Sequence, residues 1–229
     1  MKQIDLAVDR NEFPIIKREF NPPGKRKFIY IGHTADHKNT FYLSQIAHAL
    51  TEMEFGWIGS GNGINGVKAY GNMNFETHAA KEIISQFDFL ITVGSADGNP
   101  TTILESMAWG LIPVCTPQSG YAGYPGIVNI PLNNLIEAVP ILKQLQYCPE
   151  STLLTLQRVN YEALDNHFNW DRFSRQVMEA IDSREKPACP AASLFGLISL
   201  YLDYMKDKRG ILWKHFRIIR GKFLSIYNR

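Results

Sequence analysis

The chain has 229 residues, which is enough for one α/β domain with additional segments and too few for two large domains. Its formal net charge is +2, but the charge is unevenly distributed, because the stretch from Asp203 to the C-terminus contains eight Lys and Arg residues and only two Asp. The remainder is therefore net acidic, which excludes a nucleic-acid-binding surface over most of the chain.

The three cysteines, Cys115, Cys148 and Cys189, are odd in number and widely spaced. They form neither a disulfide framework nor a pair with metal-ligand spacing, which favours a reducing cytoplasmic environment. The N-terminus has no apolar signal core, and no apolar run reaches the length of a membrane span. We therefore expect a cytoplasmic protein.

The predicted elements alternate between strands and helices after an irregular, charged lead-in or linker over residues 1–26. Apolar runs predict strands at 27–32, 55–59, 67–71, 89–93, 112–116 and 127–130, and helical spacing predicts helices at 40–53, 75–87, 100–110 and 132–145. This order predicts a Rossmann-like parallel sheet with helices on both faces. In such sheets, ligands bind beyond the carboxyl ends of the strands.

Beyond Gln146 the chain is predicted to be helical, over 152–164, 170–181, 194–206 and 211–227. We divide it into a lead-in (1–26), a Rossmann-like domain (27–182) and a helical, basic, amphipathic extension (183–229).

The helix predicted at 100–110 begins with a strong start signal. Asn99 is a favourable N-cap, and Pro100 suits the first helical position. The amides of Thr101 and Thr102 would be free donors at the positive end of the helix, and Gly98 lets the backbone approach a ligand closely. This start is therefore suited to an anion or a sugar hydroxyl.

Two acids flank this helix start. Glu105 lies one turn in and leans toward the N-terminus of the helix, where its carboxylate could accept two hydrogen bonds from a vicinal diol such as a ribose. Asp97 precedes the helix and points toward the same space. Taken singly, Asp97 is more often a solvated loop acid and Glu105 more often a surface residue of an amphipathic helix.

Together, Asp97 and Glu105 resemble the acid-(seven residues)-Glu motif of the retaining, GT-B, family-four glycosyltransferases. Further segments match the family in order: the first strand with Lys38, the turn at 57–61, the strand at 67–71 and the helix start at 166–172. The resemblance covers about residues 27–182 and identifies them as the C-terminal donor-binding domain of such an enzyme.

The resemblance implies roles for the loop and helix residues. Glu105 would bind the donor ribose. Asp97, where the family usually has Glu, would contact the transferred sugar. The intervening segment would contact sugar hydroxyls through Gly98, Asn99, Thr101 and Thr102.

The resemblance also places a basic loop after the first strand, where it would stabilise the departing diphosphate as an electrostatic catalyst. Lys38 matches the family's Lys, and His33 stands where the family has Arg. Because a histidine is charged only when protonated, leaving-group stabilisation through His33 would weaken at higher pH. The alternative is that His33 and His37 are ordinary loop residues. No metal or other cofactor is expected besides the nucleoside-diphosphate sugar, UDP- or GDP-linked.

A GT-B enzyme has a second, acceptor-binding front domain of similar size, which this sequence does not include. The chain could be cut at the linker, pair with a separate front subunit, or be a donor-binding remnant. We expect it to bind donor with little or no transfer alone, within an enzyme of polysaccharide or glycolipid synthesis. Alternatives are a non-catalytic partner- or membrane-binding module and a sugar-nucleotide epimerase.

The extension carries two apolar stripes at helical spacing, and residues 211–229 add basic residues on the other faces. A basic amphipathic helix is typical of a membrane-surface anchor, which would make the protein peripheral on the inner face of a membrane. Alternatively, both stripes pack on protein: this domain, a front domain or a second copy.

Overall fold

The computed structural model describes residues 4–182, and they contain a six-stranded sheet flanked by helices. The strands are β1 (Lys27–Ile31), β2 (Glu54–Ile58), β3 (Lys68–Gly71), β4 (Phe89–Thr92), β5 (Ile112–Cys115) and β6 (Val128–Asn129). The helices are α1 (Thr40–Ala49), α2 (His78–Ser85), α3 (Thr101–Trp109), α4 (Leu135–Tyr147), α5 (Glu150–Asn166) and α6 (Trp170–Asp182). Two short 3-10 helices lie at Asp36–Lys38 and Pro117–Ser119.

All pairings in the sheet are parallel, in the order β3-β2-β1-β4-β5-β6. All four residues of β4 and all four of β5 are buried, as expected for central strands covered on both faces. One core contains residues of α1 and α4, such as Leu43 and Leu142, and the other contains residues of α2 and α3, such as Ile84 and Leu104. The predicted Rossmann-like sheet with helices on both faces is therefore confirmed.

The strand order reverses between β1 and β4, which are neighbours although two strands separate them along the chain. A crevice forms at such a reversal because the connections after the two strands leave toward opposite sides. The loops after β1 and β4 are thus the expected ligand-binding edge of this sheet.

Four predicted helix starts differ from the structure by one to three residues, those of α2, α3, α4 and α5, and the first two have a clear local cause. The helix predicted from residue 75 begins at His78, because the Thr77 hydroxyl caps it by accepting a hydrogen bond from the Ala80 amide. The prediction that Asn99 is an N-cap is wrong: Pro100 occupies the cap position, and α3 begins at Thr101. Asn99 instead has a φ of 53°, a left-handed conformation that Asn tolerates better than most residues.

Residues 4–26, called here the N-terminal segment, contain no helix or strand. Hydrogen bonds and an ion pair hold this segment against the domain. The Val8 amide donates to the Phe168 carbonyl, and the Ile16 and Lys17 amides both donate to the Trp109 carbonyl, at 2.9 and 2.8 Å. Near its end, Lys17 forms a buried ion pair with Asp88. Residues 6–17 therefore pack on the α3 side of the sheet, whereas Phe20 belongs to the core on the α1 and α4 side.

Replacing Gly59 by Ala is expected to lower the free energy of unfolding by about 2–3 kcal/mol. Gly59 follows β2 with a φ of 157°, and an added Cβ would lie 1.9 Å from the Gly32 carbonyl oxygen in the loop after β1. Urea denaturation measures the loss. Gly63→Ala is the matched control, since a Cβ there meets nothing within 4 Å. Equal midpoints for the two variants would contradict this account of the loop contact.

The predicted helices at 194–206 and 211–227, the membrane-anchor prediction for 211–229 and Cys189 all lie outside the described residues. The compact unit that holds the sheet ends at Glu179. Among residues 4–182, none of the helices combines the length and the apolar character that crossing a membrane requires.

Candidate functional site

An ion pair joins the loops after β1 and β4 at the crevice. Lys38 ends the first 3-10 helix, and its Nζ lies 2.5 Å from Oδ2 of Asp97. The two side chains are only 17% and 13% exposed, so the pair is largely shielded from water. The structure thus brings together two residues that are 59 positions apart. It places the predicted phosphate-binding cation against the predicted sugar-binding acid.

Hydrogen bonds to backbone carbonyls hold the two loops that carry this pair in place. The Ser95 amide donates to the His37 carbonyl at 2.9 Å, and the Asn39 side-chain amide donates to the Val93 carbonyl at 3.2 Å. From the other side, the Thr116 hydroxyl donates to the Gly94 carbonyl at 2.6 Å. The loop after β4 is therefore braced between the loops that follow β1 and β5, which holds its side chains in preorganised positions.

The N-terminus of α3 offers free backbone donors. Within residues 4–182, the amides of Thr101 and Thr102 have no acceptor, whereas the Ile103 amide donates to the Pro100 carbonyl. Space is open beside Gly98, where an added Cβ would meet nothing within 4 Å. The side chain of Asn99 packs against Gly120 in the loop after β5. A Cβ added at Gly120 would lie only 1.8 Å from the Oδ1 of Asn99.

Glu105 lies one turn into α3 and is half-buried. Burial raises the pKa of its carboxyl group, and the Thr101 hydroxyl beside it partly offsets that shift. Its side chain lines a cavity of about 630 Å³ bordered by Phe75 and Lys81, and a second cavity of about 260 Å³ bordered by Thr101. The structure therefore places a partly desolvated carboxylate in a space the size of a small-molecule site.

The two predicted acids occupy different surroundings. Asp97 faces Lys38 and lines neither of the cavities that Glu105 lines. Along the chain, the start of α3 at Thr101 lies between them. A ligand contacting both acids would therefore have to extend along the N-terminus of that helix.

His33 lies in the loop after β1 beside His37, with the ring centroids 5.6 Å apart. Its Nδ1 accepts a hydrogen bond from the Ala35 amide at 3.3 Å. In the neutral tautomer consistent with this bond, the proton is on Nε2, which can then donate to an anion. His33 could thus act as a hydrogen-bond donor even without a positive charge.

Sequence reasoning missed the residues that surround Glu105. Glu12 and Phe13 of the N-terminal segment line both cavities, and Trp109 and Phe75 line the larger one. No pattern marked Glu12 or Phe13, because they lie in an irregular, charged stretch without periodicity. Among the described residues, no three His, Cys, Asp or Glu side chains are grouped as a metal site would need.

No protein-family model and no curated protein matches this chain. Solved structures do resemble it. Sucrose-phosphate synthase from Thermosynechococcus elongatus has a TM-score of 0.62 at 14% identity, over 78% of this chain and 51% of the synthase. A mutant of TarM from S. aureus, in a complex that includes UDP, has a TM-score of 0.62 at 12% identity, over 80% of this chain and 39% of that one.

A third structure consists of one domain only. The C-terminal domain of a glycosyl transferase group 1 family protein from Francisella tularensis has a TM-score of 0.56 at 11% identity, over 72% of this chain and 100% of that one. The described residues therefore have the fold of the C-terminal, Rossmann-like domain of GT-B glycosyltransferases. The chain spans about half or less of the two longer proteins, 51% and 39%.

Proposed function

We propose that this chain is the donor-binding domain of a retaining glycosyltransferase that transfers the sugar of a UDP- or GDP-linked donor to an acceptor, with UDP or GDP as the leaving group. The observation that carries the proposal is Glu105, a half-buried carboxylate in a cavity of about 630 Å³, next to the unpaired amides at the start of α3. A carboxylate that accepts two hydrogen bonds suits the 2′- and 3′-hydroxyls of a ribose.

The diphosphate fits best between the loop after β1 and the start of α3. The amides of Thr101 and Thr102 supply donors at the positive end of the helix dipole. Lys38 supplies a full positive charge, and Nε2 of His33 supplies a further donor. Together these groups would stabilise the charge that develops on the leaving diphosphate, without a metal ion.

The ion pair with Asp97 holds Lys38 in place before donor binds. A diphosphate carries more negative charge than one carboxylate, so it would draw the Lys38 ammonium toward itself. Asp97 would then be available to accept a hydrogen bond from a hydroxyl of the transferred sugar. The Asp97 side chain is shorter than the Glu that is usual at this position in the family-four glycosyltransferases, which the motif resembles. The sugar hydroxyl would therefore lie close to the loop after β4.

Transfer itself would need an acceptor and a closed, water-excluding site, which in a two-domain enzyme come from the front domain. We therefore expect donor binding by this chain and little or no transfer in the absence of such a domain or subunit. An enzyme of polysaccharide or glycolipid synthesis is the setting we propose.

Replacing Lys38 by Met is expected to weaken UDP or GDP binding about tenfold, since a charge-assisted hydrogen bond contributes about 1.5–3 kcal/mol. Titration calorimetry with UDP, GDP, uridine and guanosine separates the phosphate contribution from that of the nucleoside. The nucleosides should bind both proteins equally, and Lys25→Met, at an exposed position of the N-terminal segment, should change nothing.

Two results would count against these assignments. An equal loss for nucleoside and diphosphate would mean that Lys38 does not contact the phosphates. Failure of the unmodified chain to bind UDP, GDP or their sugars at millimolar concentration would overturn the proposed function.

A further inference from the structure

We propose that residues 6–13 of the N-terminal segment form a wall of the nucleotide site and that Phe13 contacts the base. This inference rests on the proposed donor-binding function and extends it to a stretch that precedes the sheet. Its consequence is that the segment ahead of β1 determines affinity for the nucleoside part of the donor.

The position of Phe13 carries the argument. Phe13 and Glu12 line both cavities that Glu105 lines. The ring of Phe13 lies 5.6 Å from Trp109, and the ring of Phe75 lies 5.5 Å from Trp109 on the larger cavity. A base entering that cavity would therefore meet the aromatic side chains of Phe13 and Phe75, while its ribose could reach Glu105. Bases stack on aromatic rings without requiring a particular sequence.

The charges of the larger cavity favour a nucleoside over phosphates. Three carboxylates line it, from Glu12, Glu76 and Glu105, against the single ammonium of Lys81. Such a surface repels a diphosphate but accepts hydrogen bonds from ribose hydroxyls and from the N–H groups of a base. The two parts of the donor would therefore bind in different places, with the nucleoside beside Phe13 and the diphosphate toward Lys38.

The wall is anchored at both ends, so it can act as part of a preformed site. The Val8 amide is bonded to the Phe168 carbonyl at 3.0 Å. Beyond Phe13, the Ile16 and Lys17 amides share the Trp109 carbonyl. Because Trp109 also contacts Phe13, the same residue fixes both the backbone and the ring of the wall.

The test compares Phe13→Ala, Phe13→Leu and the control Ile15→Ala in the full chain. Ile15 lies on the same segment, is 40% exposed and lines neither of the Glu105 cavities. Calorimetry with UDP, GDP and inorganic pyrophosphate gives the dissociation constants. We expect Phe13→Ala to weaken the better-binding nucleotide about tenfold, as for loss of a base–aromatic contact. Pyrophosphate affinity should stay within about twofold, and Ile15→Ala should match the unmodified chain.

Each other outcome has a defined meaning. An unchanged nucleotide affinity in Phe13→Ala, or an equal loss for pyrophosphate, overturns the role of Phe13 and leaves the donor-binding function intact. If Phe13→Ala does not fold, Phe13→Leu decides, because it keeps apolar volume without a ring: about threefold weaker binding supports the contact, and unchanged binding overturns it. Absence of nucleotide binding in the unmodified chain overturns the proposed function and this inference together.

Discussion

Replacing Glu105 by Ala is expected to weaken UDP or GDP binding by about 100-fold and to abolish the rise in melting temperature that the nucleotide causes. Two hydrogen bonds from ribose hydroxyls to one carboxylate contribute about 3 kcal/mol together, and the truncated side chain can accept neither. Calorimetry and thermal melting with and without nucleotide measure the loss. Glu19→Ala, at an exposed position of the N-terminal segment, is the control and should bind normally. If nucleotide binding is unchanged in Glu105→Ala, the proposal that Glu105 binds the ribose is wrong.

The same residue should limit the stability of the ligand-free domain. Burial raises the pKa of Glu105, so the native state binds this proton more tightly than the unfolded chain does. The free energy of unfolding therefore falls as pH rises from the ordinary pKa of a Glu toward the raised pKa of Glu105 in the native state. Above that raised pKa, the full cost of ionising the buried carboxyl group is present. Glu105→Gln, which is never ionised, should melt higher than the unmodified chain near neutral pH.

This gain should shrink as pH is lowered and vanish below about pH 4, where the unmodified side chain is protonated in both states. Melting curves of the two proteins between about pH 4 and 8 give the difference directly. A difference that does not vary with pH would show that ionisation of Glu105 carries no cost in the fold. A stabilised variant that loses nucleotide binding would mark Glu105 as a residue kept for binding at the expense of stability.

Replacing Asp88 by Ala is expected to lower the free energy of unfolding by about 3–5 kcal/mol. Asp88 is fully buried and pairs with Lys17 at 3.1 Å. It also accepts hydrogen bonds from the amide and side chain of Asn21 and from the Lys27 amide, at 2.7–2.9 Å. The variant leaves the Lys17 ammonium, only 4% exposed, without its counter-charge. Urea denaturation is the measurement.

The pairing itself is tested by adding Lys17→Met to Asp88→Asn. The Asn oxygen can still accept from backbone amides, and Met removes the buried charge, so the double variant should be less destabilised than the sum of the single variants. Strict additivity would show that the two side chains do not interact energetically. Because Lys17 follows the wall that contains Phe13, loss of the pair should also loosen the nucleoside cavity.

Much of the fold was predictable because its signal is local. Short apolar runs, such as those of β4 and β5, are typical of strands buried on both faces, and their alternation with helical spacing predicts a parallel sheet between layers of helices. The element boundaries differ by a few residues where a cap or an unusual backbone conformation sets the start of a helix. Thr77 starts α2 later than the apolar pattern suggests, and the left-handed Asn99 delays α3.

The candidate site was predictable only in part. Asp97 and Glu105 could be selected from residue type and position, because a loop at a strand end and the first turn of a helix are exposed to ligands in a parallel sheet. Lys38 is identified through the resemblance of its loop to that of the family-four glycosyltransferases. Their roles remain predictions. That Lys38 and Asp97 contact each other depends on the neighbouring positions of β1 and β4, which no local pattern encodes.

The sequence by itself determined the class of fold, the edge of the sheet where ligand binding is expected and the chemical types of the residues there, since these follow from periodicity and residue chemistry. Tertiary structure alone decided how Glu105 is enclosed. Phe13 and Glu12 come from an irregular stretch whose place is set by hydrogen bonds to the Trp109 and Phe168 carbonyls and by the buried Lys17–Asp88 pair. Such contacts join residues far apart in the chain, so the packed fold is needed to bring them to the same cavity.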